Sequence, residues 1–117
     1  MTIDRLQVFI HKFIMDLGCP TKYNGTYYLR DGICSVLENP NDIGCLKKNV
    51  YLIVAKKYHT GVMNVERSMR TLVDIWWRDQ RCGGIFAKKP TNRDLFHTLV
   101  ARINTQPESL TILDSII

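Results

Sequence analysis

No stretch of this 117-residue chain approaches the roughly 20 consecutive apolar residues that cross a bilayer, which excludes a membrane-spanning helix. The opening Met1-Thr2-Ile3-Asp4-Arg5 has an early acid and no signal-peptide pattern, so a cytoplasmic protein is expected. The four cysteines are widely and irregularly spaced. Cys19, Cys34, Cys45 and Cys82 form no Cys-x-x-Cys pair, which points to buried, reduced thiols rather than disulfides. The histidines His11, His59 and His97 do not sit at ligand spacing beside them, so no metal site is expected. A Gly-rich phosphate loop and a nucleophile–base pair at short range are both missing. The chain therefore does not read as an enzyme, and no cofactor is expected. Repeats and low-complexity stretches are absent too. Residues 1–117 read as one domain, with 106–117 a short tail.

What is present is an ordinary globular balance, 45% apolar and 23% charged, with a deficit of acids. Sixteen Lys and Arg against eleven Asp and Glu give a net charge of +5, which favours a polyanionic partner. Charge alone does not separate a nucleic-acid binder from a mildly basic protein without such a partner; charge placement has to.

The hydrophobic periodicity is helical throughout, and the fold class is all-α, with five to six helices. Ile3, Leu6, Ile10, Phe13 and Leu17 recur at steps of three and four, widened by Phe9 and Ile14, in a first helix ending at Gly18. Thr21 to Gly25 reads as a turn, because Asn-Gly and a nearby Pro favour non-helical backbone. A second helix from about Thr26 to Glu38 buries Leu29, Ile33, Val36 and Leu37 and stops at Asn39-Pro40. Asp42 is a candidate cap for a short segment Ile43–Lys48.

The most informative stretch is Asn49 to Arg70. Val50–Tyr58 is an almost continuously apolar helix ending in Lys56-Lys57, and a Gly61-containing turn follows. The next helix carries Val62, Val65, Met69, Leu72 and Trp76 on one stripe, with Arg67, Thr71, Asp74 and Arg78 opposite and Asn64 close by. Helix, tight turn and second helix with arginines outward is the layout of a helix-turn-helix, whose second helix enters the DNA major groove. Arg81 to Phe86 then reads as a bend. Thr91 or Asn92 caps a last helix through Leu95, Phe96, Leu99, Val100 and Ile103, and an apolar tail follows at Leu110, Ile112, Leu113, Ile116 and Ile117.

Four strings now carry a family resemblance. They are Gly25-Thr26-Tyr27-Tyr28-Leu29-Arg30-Asp31, Val54-Ala55-Lys56-Lys57-Tyr58, Val65-Glu66-Arg67-Ser68-Met69-Arg70 and Lys89-Pro90-Thr91-Asn92. In order, and over most of the chain, they resemble the C-terminal DNA-binding effector domain of the sporulation-initiation response regulator of endospore-forming bacteria. The resemblance implies a helical domain whose recognition helix reads a TGTCGAA-like box. It also implies head-to-tail pairing on tandem boxes and contact with the sigma subunit of RNA polymerase. Two departures stand out. Asn64 occupies the place of an arginine that reads guanine, and Asn prefers adenine. The segment from Trp77 to Lys89 is shorter than in the family, in the region implicated in polymerase contact. No receiver domain precedes the helices, so a whole protein of this sequence is not expected to be controlled by phosphorylation in cis.

The expected base contacts are Asn64, Glu66, Arg67 and Arg70, and the expected phosphate contacts are Lys56, Lys57, His59, Thr60, Lys88 and Lys89. Each has a plainer reading. The arginines could be solvated charges, Glu66 could pair with Arg70 at i,i+4, and the lysines could be idle. Trp76 belongs to the core stripe, and Trp77 either packs against the bend or is partly exposed; neither is assigned a binding role. The alternative function is a protein-interaction module or antagonist that keeps the fold but pairs with another regulator, a reading motivated by the apolar tail.

Overall fold

The computed structural model describes residues 2–108, with side chains from Arg5 onward; the Ile3 side chain and the apolar tail from Leu110 to Ile117 lie outside the described residues. Five α-helices account for most of the described chain: α1 (Thr2–Asp16), α2 (Asn24–Glu38), α3 (Leu52–Lys57), α4 (Val62–Gln80) and α5 (Asn92–Asn104). No strand occurs among the described residues.

The periodic stripes fold as their spacing requires. Leu6, Ile10 and Ile14 of α1 are fully buried, and Phe9, Phe13 and Leu17 pack at the edge of the same core. Gly18 ends the helix in the left-handed region (φ 82°), where its N–H and that of Cys19 reach back to the carbonyls of Met15 and Ile14 at 2.8 and 3.1 Å. On α4, Val65, Met69, Leu72, Val73 and Trp76 are buried. The indole N–H of Trp76 donates to the Leu17 carbonyl at 3.1 Å, fixing the end of α4 to the end of α1. Trp77 is half-buried under the Arg81 guanidinium, 5.0 Å from its ring centre. Thr91 caps α5 in a reciprocal box with Asp94.

Four expectations need correction. Asn24-Gly25 is not a turn but the first residues of α2. Gly25 is there for contact: a Cβ at this position would lie 2.4 Å from the Ser68 carbonyl oxygen and 3.0 Å from Leu72 Cβ, so its absence lets the backbones of α2 and α4 approach closely. Second, α2 buries more than the expected Leu29, Ile33, Val36 and Leu37: Tyr28, Asp31 and Cys34 are buried as well. Third, the segment expected at Ile43–Lys48 and the helix expected from Val50 are divided differently. A 3-10 turn spans Pro40–Cys45, and a wide π turn, Leu46–Tyr51, then runs directly into α3 through helical backbone at Tyr51 and Leu52. That stretch buries Val50, Tyr51, Val54 and Ala55 but leaves Leu52 and Ile53 exposed, so its apolar run is not wholly core. Fourth, all four thiols are free as expected, but only Cys19, Cys34 and Cys82 are buried; Cys45 is exposed on the turn.

Candidate nucleic-acid interface

The α3–turn–α4 unit is built by a left-handed stop. Tyr58 N–H donates to the Val54 carbonyl at 3.1 Å, and Thr60 N–H closes on Ala55 at 2.9 Å. His59 between them takes φ 54°, a conformation that costs a side-chain-bearing residue more than glycine. Gly61, which sequence reading associates with the turn, is extended (φ −94°) and has open space where a Cβ would sit. The strain therefore sits on His59. Its ring is exposed beside the start of α4.

From Gly61 the chain enters α4, and the outer face forms opposite the buried stripe. Arg67 stands at its centre, exposed and without an acidic partner among the described residues. Met63, 60% exposed, lies one turn before it. Asn64 donates from its side-chain amide to the Thr60 hydroxyl at 2.8 Å, so these two expected contacts fix one another. On the other flank Arg70 meets Glu66 at 2.6 Å, the i,i+4 pair that was one of the two readings of Glu66. The carbonyl of Glu66 also accepts from the Asn92 side chain at 3.2 Å, tying the start of α5 to α4.

The six expected phosphate contacts divide in two. Lys56, His59 and Lys88 are exposed and carry no ion pair among the described residues; Thr60 is half-buried, engaged with Asn64. Lys57 and Lys89 are paired internally, Lys57 with Asp31 at 3.0 Å and Lys89 with Asp74. Beside α4 an open groove of about 710 Å³ runs between the π turn and the start of α5, with Lys47, Arg70, Lys89 and Arg93 along it. Lys47 and Arg93 were missed by sequence reading, since no periodic signal distinguishes a groove-lining cation from a solvated one. Met63 was missed because it breaks the polar pattern of its face.

A second polar centre lies under the turn. Asp31, 5% exposed at its side chain, accepts from Arg30 Nε at 2.9 Å, Gln7 at 3.1 Å, Lys57 and the Tyr58 hydroxyl. Burial by itself would raise the Asp31 pKa, yet the bonds from Arg30, Tyr58 and Lys57 outweigh it and hold the carboxyl below the ordinary range. Burial and the same carboxylate push the Tyr58 phenol up to about 12.

The family described as sporulation initiation factor Spo0A C terminal matches residues 10–103. The chain belongs to that family. Membership makes it a DNA-binding regulator of sporulation transcription, and the family is not one of enzymes. The matched span takes in α2, the whole α3–turn–α4 unit and most of α5, so the elements that carry the exposed cations lie inside it. No helix among the described residues is long and apolar enough to cross a membrane.

Proposed function

We propose that α4 is a recognition helix that lies in the major groove of double-stranded DNA and reads a short box. The observation that carries this is Arg67: a guanidinium without an ion pair among the described residues, at the centre of the outer face, on a helix clamped from behind at Gly25, Trp76 and Asn92. A bidentate arginine on guanine O6 and N7 needs that freedom and that rigidity together. Asn64, held by Thr60, presents its amide to the same groove and suits adenine. Met63 suits a thymine methyl. Glu66 and Arg70 form a preset pair at the edge, where the guanidinium reaches bases or nearby phosphate without leaving Glu66. Lys56, His59 and Lys88 hold the backbone, with Lys57 and Lys89 contributing less because each already faces a carboxylate. The box is TGTCGAA-like, shifted where Asn64 replaces arginine. Two copies on tandem boxes supply the affinity that one small reader lacks, and the protein acts in the cytoplasm, where the chromosome is.

Fluorescence anisotropy on a tandem TGTCGAA-like duplex and a scrambled duplex, at several salt concentrations, tests this. Tighter binding to the box, persisting as salt rises, is the expected result. Equal and steeply salt-dependent binding to both duplexes would reduce the helix to a basic surface.

A further inference from the structure

The outer face of α4 cannot by itself fix where the helix points. Gly25, Trp76 and Asn92 hold the body of α4, but only His59, Thr60 and Gly61 separate its first residue from Tyr58, so whatever holds Tyr58 sets the entry of the reading head. Tyr58 is held from α2. Its hydroxyl donates to Asp31, its ring meets Tyr28 edge-on at 5.1 Å between centroids, and Arg30 Nη2 lies 3.3 Å from its oxygen. Lys57, the preceding residue, has its ammonium 3.0 Å from the same carboxylate. Gln7 of α1 donates to the other oxygen at 3.1 Å, so three helices converge on one buried acid.

The charges around that acid are unbalanced. Arg30 and Lys57 together carry two positive charges against one negative, and Lys57 is about half-exposed (47%) at the end of α3, on the turn side. Without Asp31, its ammonium would be free to swing to any phosphate within reach, whatever the sequence. Such contacts raise affinity for all DNA alike and carry no base information.

We propose that Asp31 is a positioning residue that determines specificity: it anchors Tyr58 and Lys57 at the entrance of the turn, and so aims α4 while withholding the Lys57 charge from non-specific phosphate contact. The role rests on α4 being a base reader and adds to it a residue buried under the turn. A carboxylate suits it better than an amide, because only a full negative charge holds an ammonium and a guanidinium together.

The test compares wild-type protein with Asp31→Asn, which keeps the shape and removes the charge. On random duplex, Asp31→Asn should bind more tightly at low salt, with a salt slope steeper by about 0.9 for the phosphate that Lys57 newly meets. Its preference for the box should fall several-fold. Adding Lys57→Met to Asp31→Asn should return the slope to the wild-type value, a rescue that a merely structural role for Asp31 does not produce. In the free protein, the backbone amide NMR signals from His59 to Asn64 should move while those of the middle of α5 stay. An Asp31→Asn protein with unchanged slope, preference and amide positions overturns the proposal, as does an equal loss of affinity on both duplexes at unchanged slope. Should Asp31→Asn not fold, Tyr58→Phe removes one anchor without unbalancing charge. It should move the same amides and lower the preference at constant slope, and no change in either overturns the positioning role. The amide shifts and the slope on random duplex judge Asp31 whichever sequence is read. Indifference of the wild-type protein to the box overturns the reader, and with it the specificity assigned to Asp31.

Discussion

The junction of α2 with α3 and the outer face of α4 use the same residue types to opposite ends. At the junction, Arg30 and Lys57 converge on a buried carboxylate and a tyrosine hydroxyl, so their charge is neutralised in part and their geometry fixed. On α4, Arg67 is exposed and unpaired among the described residues. Lys56 and Lys57 show the contrast within one peptide bond: the first is exposed without an ion pair among the described residues, the second faces Asp31. A basic residue in a DNA-binding unit is therefore not a DNA contact by default. A cation held by a buried carboxylate, like Lys57, differs in that respect from one left exposed, like Lys56.

Breaking the junction should have the largest effect. Asp31→Ala removes the buried acceptor shared by Arg30, Tyr58 and Gln7 and releases Lys57 to solvent, and should cost about 3 kcal/mol of folding stability, read from urea unfolding. Gly25→Ala comes next, because its Cβ would meet the Ser68 carbonyl in the backbone of α4. A loss of about 1–3 kcal/mol is expected, with weaker box preference as α4 is pushed away from α2. Breaking the outer face should leave stability alone. Arg67→Ala should keep the wild-type melting temperature and lose about 1–3 kcal/mol of binding on the preferred duplex. The smallest effect is expected at the turn, where His59→Gly relieves the left-handed backbone. It should raise stability by up to about 1 kcal/mol while slightly weakening binding to any duplex.

Acidity and alkalinity probe the junction from two sides. The Asp31 carboxyl titrates below its unfolded value, so its stabilisation is present above the ordinary carboxylate range and is lost as pH falls through the lower folded value. Tyr58 is the reverse. Its phenol is raised to about 12, so stabilisation present below the ordinary tyrosine value is lost as pH climbs toward that figure. Asp31→Asn should therefore flatten the acid limb of a stability–pH profile, and Tyr58→Phe the alkaline limb.

Much of this was legible in the sequence. The stripes of α1, α4 and α5 appear as spacing because each of those helices has one wet side, and Thr91 was readable as a cap because the capping pattern is local. The helix-turn-helix could be placed because its turn interrupts two such patterns. What was not legible depends on partners distant in sequence. Asn24-Gly25 reads locally as a turn, yet contact with Ser68 and Leu72 makes it the start of a central helix. The π turn at Leu46–Tyr51 has no composition of its own. Asp31 hid on α2 because its partners Gln7, Lys57 and Tyr58 are distant in sequence. Lys57 and Lys56 are indistinguishable until the fold brings Asp31 beneath one of them.

The most direct test of the contrast is to measure, for Arg67→Ala and Lys56→Ala, the ratio of affinities for the box and a scrambled duplex together with the salt slope. If Arg67 reads bases and Lys56 only holds backbone, Arg67→Ala should lose most of the preference. Lys56→Ala should keep the preference and bind both duplexes more weakly, with a slope shallower by about 0.9. Equal losses on both duplexes for Arg67→Ala, with the preference intact, would contradict the account.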